Sequence, residues 1–368
     1  MMIDPRIEKM AKVLTRYSLE LKKGDLFRID GSYLTEPLIK AVFKEALLLG
    51  ANPYTMVTIE GLQEIFYKNA SEEQLKFVSP IDWLTCEKLD AQLTLWGDWN
   101  TKYLTNVDAK RVAMYFGARK DLFNRRLERI SRHELRWCGT LFPTQANAQD
   151  AEMSLSEFED FVFTAGFLDR PDPIAEWQNL SRQQATLIEE LSKKRQFRIK
   201  ASDTDLTFEV QGRKWINCDG HLNFPDGEIF TSPIEESVEG SIRYTYPAVY
   251  QGKEVEDVRL QFEAGRVIKA SAAKGEDFLK AMLDTDAGAR YVGEFSFGNN
   301  YGIQRFIKHT LFDEKIGGTI HIALGASLPE AGGKNKSAIH WDMVCDLRKG
   351  SEVYADGELI YRDGKFLI

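Results

Sequence analysis

The pattern of apolar residues changes near residue 195, and this change constrains the fold more than any other feature of the chain. Before residue 195, segments with apolar residues at helical spacing alternate with short apolar runs typical of strands. Such alternation indicates a parallel sheet, because parallel strands need long crossover connections that are usually helical. After residue 195, apolar and polar residues alternate between turns, which indicates hairpins in a mixed or antiparallel sheet.

We therefore predict two domains in this chain of 368 residues. The predicted fold class is α/β, with an amino-terminal α/β domain of mostly parallel sheet (1–195) and a carboxy-terminal mixed α+β domain (196–368). In the first domain the pattern predicts strands at 26–29, 53–59, 91–97 and 135–141, and helices at 7–21, 36–49, 108–131 and within 151–195. In the second domain it predicts a hairpin within 255–270 that turns at Gly265.

Composition excludes several classes of function. The net charge of −8 argues against a nucleic-acid partner, which would need a basic face. No apolar run is long enough to span a membrane, and the first residues lack the layout of a secretion signal, so we expect a cytoplasmic protein. The four cysteines form no C-x-x-C pair, which argues against a disulfide framework or a zinc knuckle.

Metal-ligand side chains are concentrated in the last third of the chain. Three of the five histidines, His309, His321 and His340, lie within about thirty residues. His340 and Asp342 are two apart in an apolar segment, so a strand would place both on one face. A divalent ion would satisfy both buried groups, and so would a plain hydrogen bond between them. His321 alone, inside an apolar strand, is more typical of a core histidine, and we interpret His309 as a bystander.

Two further carboxylates each follow a glycine and precede apolar residues. Glu228 follows Gly227, and Glu294 follows Gly293 in a segment where Phe295 and the later Phe297 alternate with polar side chains. On a strand the phenylalanines would face one side and the carboxylate the other. On spacing alone, Glu228 is more typical of a solvated turn residue, and each element by itself is weak evidence of a site. Together the two elements suggest two carboxylates presented from similar turns.

Five ordered segments, 227–233, 293–294, 313–314, 321–325 and 340–342, closely resemble the motifs of the thermophilic aminopeptidase family, the M29 metallopeptidases. The resemblance covers the whole chain. It implies removal of amino-terminal residues from peptide substrates, with two divalent ions (Zn, Co or Mn) per subunit as cofactors. It also implies a homodimer with enclosed active sites, in which residues 1–195 serve as scaffold and dimerisation domain and residues 196–368 as the metal-binding catalytic domain.

Carried over by motif, the resemblance implies a set of six metal ligands, namely Glu228, Glu294, Glu314, His321, His340 and Asp342. Glu294 is the best candidate to bridge the two ions. In two-metal hydrolysis the ions activate a water, which would attack the first peptide bond. We assign no proton carrier, although Glu235, Glu236 and Glu330 are spare acids near the motifs.

The sequence departs from the family pattern at Leu328. Relatives have a tyrosine seven residues after the first ligand histidine, and this chain has leucine seven residues after His321. Either another donor replaces the phenol, or activity is reduced, or the reaction differs, as in a metal hydrolase that acts on another amide or ester. A further alternative is a non-catalytic or weakly active metal-binding relative that binds peptides or a partner. The candidate donors, Ser327, Lys334, Asn335 and Lys336, lie in or next to the glycine-rich segment 330–337, which we predict to be a mobile loop at the mouth of the site.

Overall fold

The protein is described by a computed structural model, which covers residues 4–250 and 252–368. The chain divides into two compact units. The first comprises Met1–Ile174 and Gly220–Phe224, and the second comprises Ala175–Asp219 and Pro225–Ile368. The assignment of separate roles to 1–195 and 196–368 stays a prediction, and the packing places residues 175–195 with the second unit.

The first unit contains a five-stranded sheet in the order β2-β1-β3-β4-β8, with every neighbouring pair parallel. With strands numbered along the whole chain, its members are β1 (Leu26–Ser32), β2 (Asn52–Thr58), β3 (Ala91–Trp96), β4 (Arg136–Leu141) and β8 (Asn223–Phe224). The predicted parallel α/β domain is thereby confirmed. The short strand β8 was not predicted, because two residues are too few to show a period.

Nine helices of the first unit are α1 (Pro5–Val13), α2 (Glu36–Leu48), α3 (Leu62–Asn69), α4 (Glu72–Lys76), α5 (Pro80–Lys88), α6 (Ala109–Ala118), α7 (Lys120–Ser131), α8 (Gln145–Asp150) and α9 (Leu155–Ala165). Helix α1 continues into a π-helical turn, Leu14–Ser18, and a 3-10 turn spans Tyr33–Thr35. The single helix predicted over 108–131 is wrong, because α6 and α7 are separated at Arg119. The Arg119 guanidinium covers the Tyr115 ring and donates to the carbonyl oxygens of Leu75 and Phe77.

The second unit contains two large antiparallel sheets and a two-stranded ribbon, β11-β12. The eight-stranded sheet has the order β14-β13-β10-β6-β5-β18-β19-β20, and the five-stranded sheet has the order β17-β16-β15-β9-β7. Its strands are β5 (Gln196–Ala201), β6 (Thr204–Glu209), β7 (Ile216–Cys218), β9 (Glu228–Thr231), β10 (Glu239–Arg243), β11 (Ala248–Tyr250), β12 (Lys253–Val255), β13 (Arg259–Glu263), β14 (Arg266–Ser271), β15 (Val292–Gly298), β16 (Thr319–Gly325), β17 (His340–Asp346), β18 (Glu352–Ala355), β19 (Glu358–Arg362) and β20 (Lys365–Phe366). The predicted hairpin at Gly265 joins β13 and β14.

Three further helices and two 3-10 turns lie in the described residues after Ile174 or next to it. The helices are α10 (Pro173–Leu191), α11 (Glu276–Leu283) and α12 (Thr310–Asp313), and the turns span Glu235–Ser237 and Pro329–Ala331. Within the described residues no helix has both the length and the apolar composition of a membrane span.

A single hydrophobic core joins the two large sheets of the second unit. Phe197 and Phe208 of the eight-stranded sheet pack on Phe295 of β15, with ring centroids 6.4 and 4.7 Å apart. Successive residues of a strand point to opposite faces. The five-stranded sheet therefore has one apolar face toward this core and a second face on which the remaining side chains meet.

Candidate metal centre

Alternation along four neighbouring strands places the predicted ligands on one face of the five-stranded sheet. The core receives Ile229, Phe295, Ile322 and Trp341 from β9, β15, β16 and β17. The residues next to them in sequence point to the other face. That face consequently carries Glu228, Glu294, His321, His340 and Asp342, as the strand patterns at Glu294, His340 and Asp342 predict.

The local backbone conformation explains why a glycine precedes both Glu228 and Glu294. Pairing between β15 and β16 shifts register between Val292 and Glu294, which is a bulge that redirects the Glu294 carboxylate. A Cβ on Gly293, inside the bulge, would lie 2.2 Å from a carbonyl oxygen of Ala326. Gly227 precedes Glu228 with φ of +116°, in the region that favours glycine.

The imidazoles and carboxylates of this face converge. His321 Nε2 lies 3.3 Å from Glu294 Oε1, 3.5 Å from Glu228 Oε2 and 3.9 Å from Asp342 Oδ1. His340 Nε2 lies 3.2 Å from Glu294 Oε2 and 3.4 Å from Asp342 Oδ1. Glu294 thus contacts both imidazoles, one through each carboxylate oxygen.

Backbone carbonyls orient both imidazoles. His321 Nδ1 lies 3.0 Å from the carbonyl oxygen of Glu314, and His340 Nδ1 lies 2.8 Å from that of Ala326. A carbonyl can only accept, so each Nδ1 carries the proton and each Nε2 faces the carboxylates. This is the arrangement that a histidine needs to bind a metal through Nε2.

Glu314 reaches the cluster from the loop that follows α12. Asp313 anchors this loop by accepting a hydrogen bond from the backbone N–H of Ile307 at 2.7 Å. Burial, together with the nearby carboxylates of Glu228 and Asp342, raises the pKa of Glu314 to about 7 despite the opposing charge of Lys315. His309, the remaining histidine of this segment, caps α12 and contacts Phe312.

The protonation of the two histidines reflects the surrounding negative charge. Burial opposes the charged form of His321, but its hydrogen bond to Glu294 and the nearby carboxylates outweigh burial and raise its pKa to about 10. For His340 burial is likewise outweighed, by Asp342 and Glu294, and the pKa is raised to about 12. The negative potential at this position therefore favours a bound cation strongly.

The arrangement fits a divalent metal. Ligand atoms from all six predicted residues take part in groups of three that lie within 4.8 Å of one another. Asp342 Oδ1 is buried and makes no hydrogen bond with the described residues, although His340 Nε2 lies 3.4 Å away. A buried carboxylate oxygen normally has a partner, and a bound cation would supply one. Four carboxylates and two imidazoles form the mixed oxygen–nitrogen set that zinc, cobalt and manganese accept.

Comparison with known proteins gives the family. The chain matches the thermophilic metalloprotease family M29 over residues 3–366. It belongs to this family. The chain is therefore a metallopeptidase, a hydrolase that acts on peptide bonds, as the motifs predict.

Full-length relatives of this M29 metalloprotease include two curated proteins. Aminopeptidase 2 of Geobacillus stearothermophilus is 26% identical, over 98% of this chain and 95% of the relative. Aminopeptidase T of Thermus thermophilus is 28% identical, over 97% of this chain and 95% of the relative. The solved structure of wild-type AmpT from Thermus thermophilus superimposes with a TM-score of 0.86 at 25% identity, and the match covers 99% of each chain.

Sequence reasoning missed three residues that adjoin the candidate ligands of this M29 metalloprotease. Lys315 is fully buried, and its ammonium contacts Glu314 and lies 3.4 Å from Glu228 Oε1. Asp226 lies 4.0 Å from the same ammonium, and Cys218 groups with Asp226 and Glu228. The sequence signal for two of them is position, because Lys315 directly follows the candidate ligand Glu314 and Asp226 lies two residues before the candidate ligand Glu228.

Several contacts anchor the segment between β16 and β17, which includes the predicted mobile loop 330–337. Glu235 accepts hydrogen bonds from Arg213 at 2.5 Å and from the backbone N–H of Lys334 at 2.7 Å. The Asn335 amide donates to two backbone carbonyls, so it is not free to serve as the missing donor. The Ser327 hydroxyl is buried and makes no hydrogen bond with the described residues.

Proposed function

We propose that this protein removes amino-terminal residues from peptides with two divalent ions, held by Glu228, Glu294, Glu314, His321, His340 and Asp342. The observation that carries the proposal is the convergence of five of these side chains from one face of the five-stranded sheet with Glu314 from the loop after α12. Membership of the M29 family and the names of the relatives support the aminopeptidase assignment.

Charge supports two ions rather than one. Within contact distance the site contains five carboxylates, including Asp226, and one buried ammonium. With neutral imidazoles as ligands, these groups sum to four negative charges, which two dications would balance. A single dication would leave two uncompensated charges in a buried site, which is costly.

Bound divalent ions supply a water of lowered pKa and polarise the substrate carbonyl. Neighbouring side chains of the protein hold the candidate ligands in position. Ser296 donates to Glu228 Oε2 at 3.1 Å and so fixes that carboxylate. Glu294, with one oxygen toward each imidazole, is the candidate bridge between the two positions. The free amino terminus of the substrate would bind one of the ions or a nearby carboxylate, and this would account for action at the end of a peptide.

The test is release of free amino acids from short peptides by chelator-treated protein, with and without added Zn²⁺, Co²⁺ or Mn²⁺. We expect metal-dependent release from free amino termini and none from the same peptides acetylated at that end. Folded protein that binds metal but releases no amino acid with any of the three ions would contradict the proposal.

Leu328 favours a second possibility, a weakly active or non-catalytic relative that binds peptides or a partner. Leucine cannot donate a hydrogen bond, and the loss of one such donor costs on the order of 10²–10³ in rate. Leu328 itself is half-buried at the start of the 3-10 turn Pro329–Ala331. The variant Leu328→Tyr distinguishes the two: a large gain in kcat supports the weakly active form, and a fast wild type that gains nothing excludes it.

A homodimer is the proposed assembly, and cytoplasmic location stays a prediction. The support for a homodimer is an apolar surface on the first unit, where α6 buries none of its side chains. Exposed residues on α3 and α5–α7 or next to them are Leu62, Ile65, Phe77, Ile81, Leu84, Phe116, Phe123 and Leu127. Light scattering should give twice the chain mass, and Phe116→Asp with Phe123→Asp should give one chain mass; a monomeric wild type would contradict the dimer.

A further inference from the structure

Lys315 is a buried cation that none of the ligand motifs includes. Its side chain is 0% exposed, and its ammonium contacts Glu314 Oε1. The same ammonium lies 3.4 Å from Glu228 Oε1 and 4.0 Å from Asp226 Oδ1. Glu228 and Glu314 are two of the six candidate ligands, so Lys315 and a metal ion must share them.

The position of this ammonium is fixed by the backbone around it. The N–H of Asn300 donates to the carbonyl oxygen of Lys315 at 3.1 Å, and the Asn300 side chain donates to that of Asp226 at 2.8 Å. A Cβ on Gly227 would lie 2.8 Å from Asn300 Cβ, so the Asp226–Glu228 turn packs tightly against the same residue. Asn300 thus holds the lysine and two of its carboxylates in one rigid group.

The cluster therefore has two chemically different sides. On one side, Glu228 and Glu314 contact the ammonium of Lys315. On the other side, Glu294 and Asp342 contact His340, whose nitrogen is itself a candidate metal ligand. An ammonium has no lone pair to offer a metal and repels a cation placed beside it.

We propose that Lys315 is a built-in counter-cation that holds Glu228 and Glu314 in place without metal and makes the two metal positions unequal. The first ion then binds beside Glu294, His340 and Asp342. The second ion binds on the side of Glu228 and Glu314, against the repulsion of the ammonium. This inference rests on the proposed two-ion function, and it adds a positioning residue and an order of binding.

Calorimetric titration of the chelator-treated full chain with Co²⁺ tests the order of binding. We expect two steps in the wild type, with the second weaker by at least about tenfold. Lys315→Met should tighten the second step by about tenfold or more, because the carboxylates lose their competitor. Lys349→Met is the matched control, since Lys349 is an exposed lysine in the same unit, and it should leave both steps unchanged.

Thermal unfolding without metal tests the counter-cation role by itself. Lys315→Met leaves the buried carboxylates unpaired, so its melting temperature without metal should fall by roughly 10 °C and recover when Co²⁺ is added. If that variant does not fold, Asp226→Asn with Lys315→Met removes one charge of each sign. The double variant should fold and should still bind the second ion more tightly than the wild type.

Each outcome decides the proposal. Unchanged or weaker binding of the second Co²⁺ in the lysine variants would overturn the order of binding, and an unchanged melting temperature without metal would overturn the counter-cation role. A wild type that binds no Co²⁺ would instead contradict the proposed function. The unfolding measurement would still show whether Lys315 stabilises the carboxylates.

Discussion

Ala323 of β16 lies directly opposite Asp342 of β17, and the same alanine pairs with Glu294 of β15 on its other side. Paired residues of neighbouring strands share a face, so the Ala323 methyl group lies between two candidate ligands. A small side chain at this position leaves room for a cation above the sheet. The candidate metal centre therefore needs a small side chain at position 323 as well as the ligand side chains beside it.

Ala323→Val should weaken metal binding strongly without unfolding the protein. The two added methyl groups would fill the space between Glu294 and Asp342, and overpacking of this kind costs only about 1–3 kcal/mol. We expect Co²⁺ affinity to fall at least about 100-fold by calorimetry, which exceeds the typical loss for changes around metal ligands. Ala323→Gly keeps the space and should bind nearly as the wild type does. Normal Co²⁺ affinity in the valine variant would show that the ions lie elsewhere.

Glu294→Gln should disturb both metal positions, whereas Glu314→Gln should disturb one. The reason is that Glu294 faces His321 with one oxygen and His340 with the other. We expect elemental analysis to find nearly two ions per chain in the wild type, about one in the Glu314 variant and fewer in the Glu294 variant. Peptidase activity should fall on the order of 10²-fold or more in both. Equal metal content in the two variants would contradict a bridging role for Glu294.

Metal-free protein should lose stability as the pH rises above neutrality. His321 has an ordinary pKa of 6.5 and a folded pKa raised to about 10. Above pH 6.5 the unfolded chain releases this proton while the folded protein keeps it, so the stabilisation is complete below pH 6.5 and is lost as the pH rises through about 10. Melting temperatures in chelator should therefore decline across this range. His321→Gln should flatten the decline, and an equally steep profile in that variant would assign it to other groups.

Glu235→Ala should destabilise the second unit and loosen the segment between β16 and β17. Its partner Arg213 has a side chain only 6% exposed, and removing one member of a buried pair costs about 3 kcal/mol or more. We expect the free energy of unfolding in urea to fall by about 3 kcal/mol and proteases to cleave within 327–337 more quickly. Glu236→Ala is the control, because that neighbouring carboxylate is exposed. If both variants behave alike, the ion pair does not anchor the segment.

Ser327→Ala should lower kcat by about tenfold to 100-fold if the serine replaces the missing phenol donor. Its hydroxyl is buried and makes no hydrogen bond with the described residues, one position before Leu328. KM should change little, because the donor would act on charge that develops during the reaction. Ser337→Ala is a matched control on the same segment, with its hydroxyl bonded to Asp286 instead. An unchanged kcat in the Ser327 variant would show that the Ser327 hydroxyl does not replace the phenol.

Much of the fold and part of the site could be predicted from local patterns. The alternation in β15 and β17 placed Phe295 and Trp341 in the core and Glu294, His340 and Asp342 on the other face. A period of two is a property of a single strand, so it appears in the sequence without knowledge of the neighbours. The break between α6 and α7 could not be predicted in this way, because contacts of Arg119 with residues about forty positions away accompany it.

The sequence by itself determined which residues share a strand face and which family the motifs resemble. Tertiary structure decided that Glu228, Glu294, Glu314 and the histidines meet, since sheet order and register join segments far apart in the chain. It also decided that Lys315 and Asp226 lie close together, because Asn300 is hydrogen-bonded to the backbone carbonyls of both residues. Long-range register has no local period, and for that reason the contacts that suggest Lys315 as a counter-cation can be seen only in the tertiary structure.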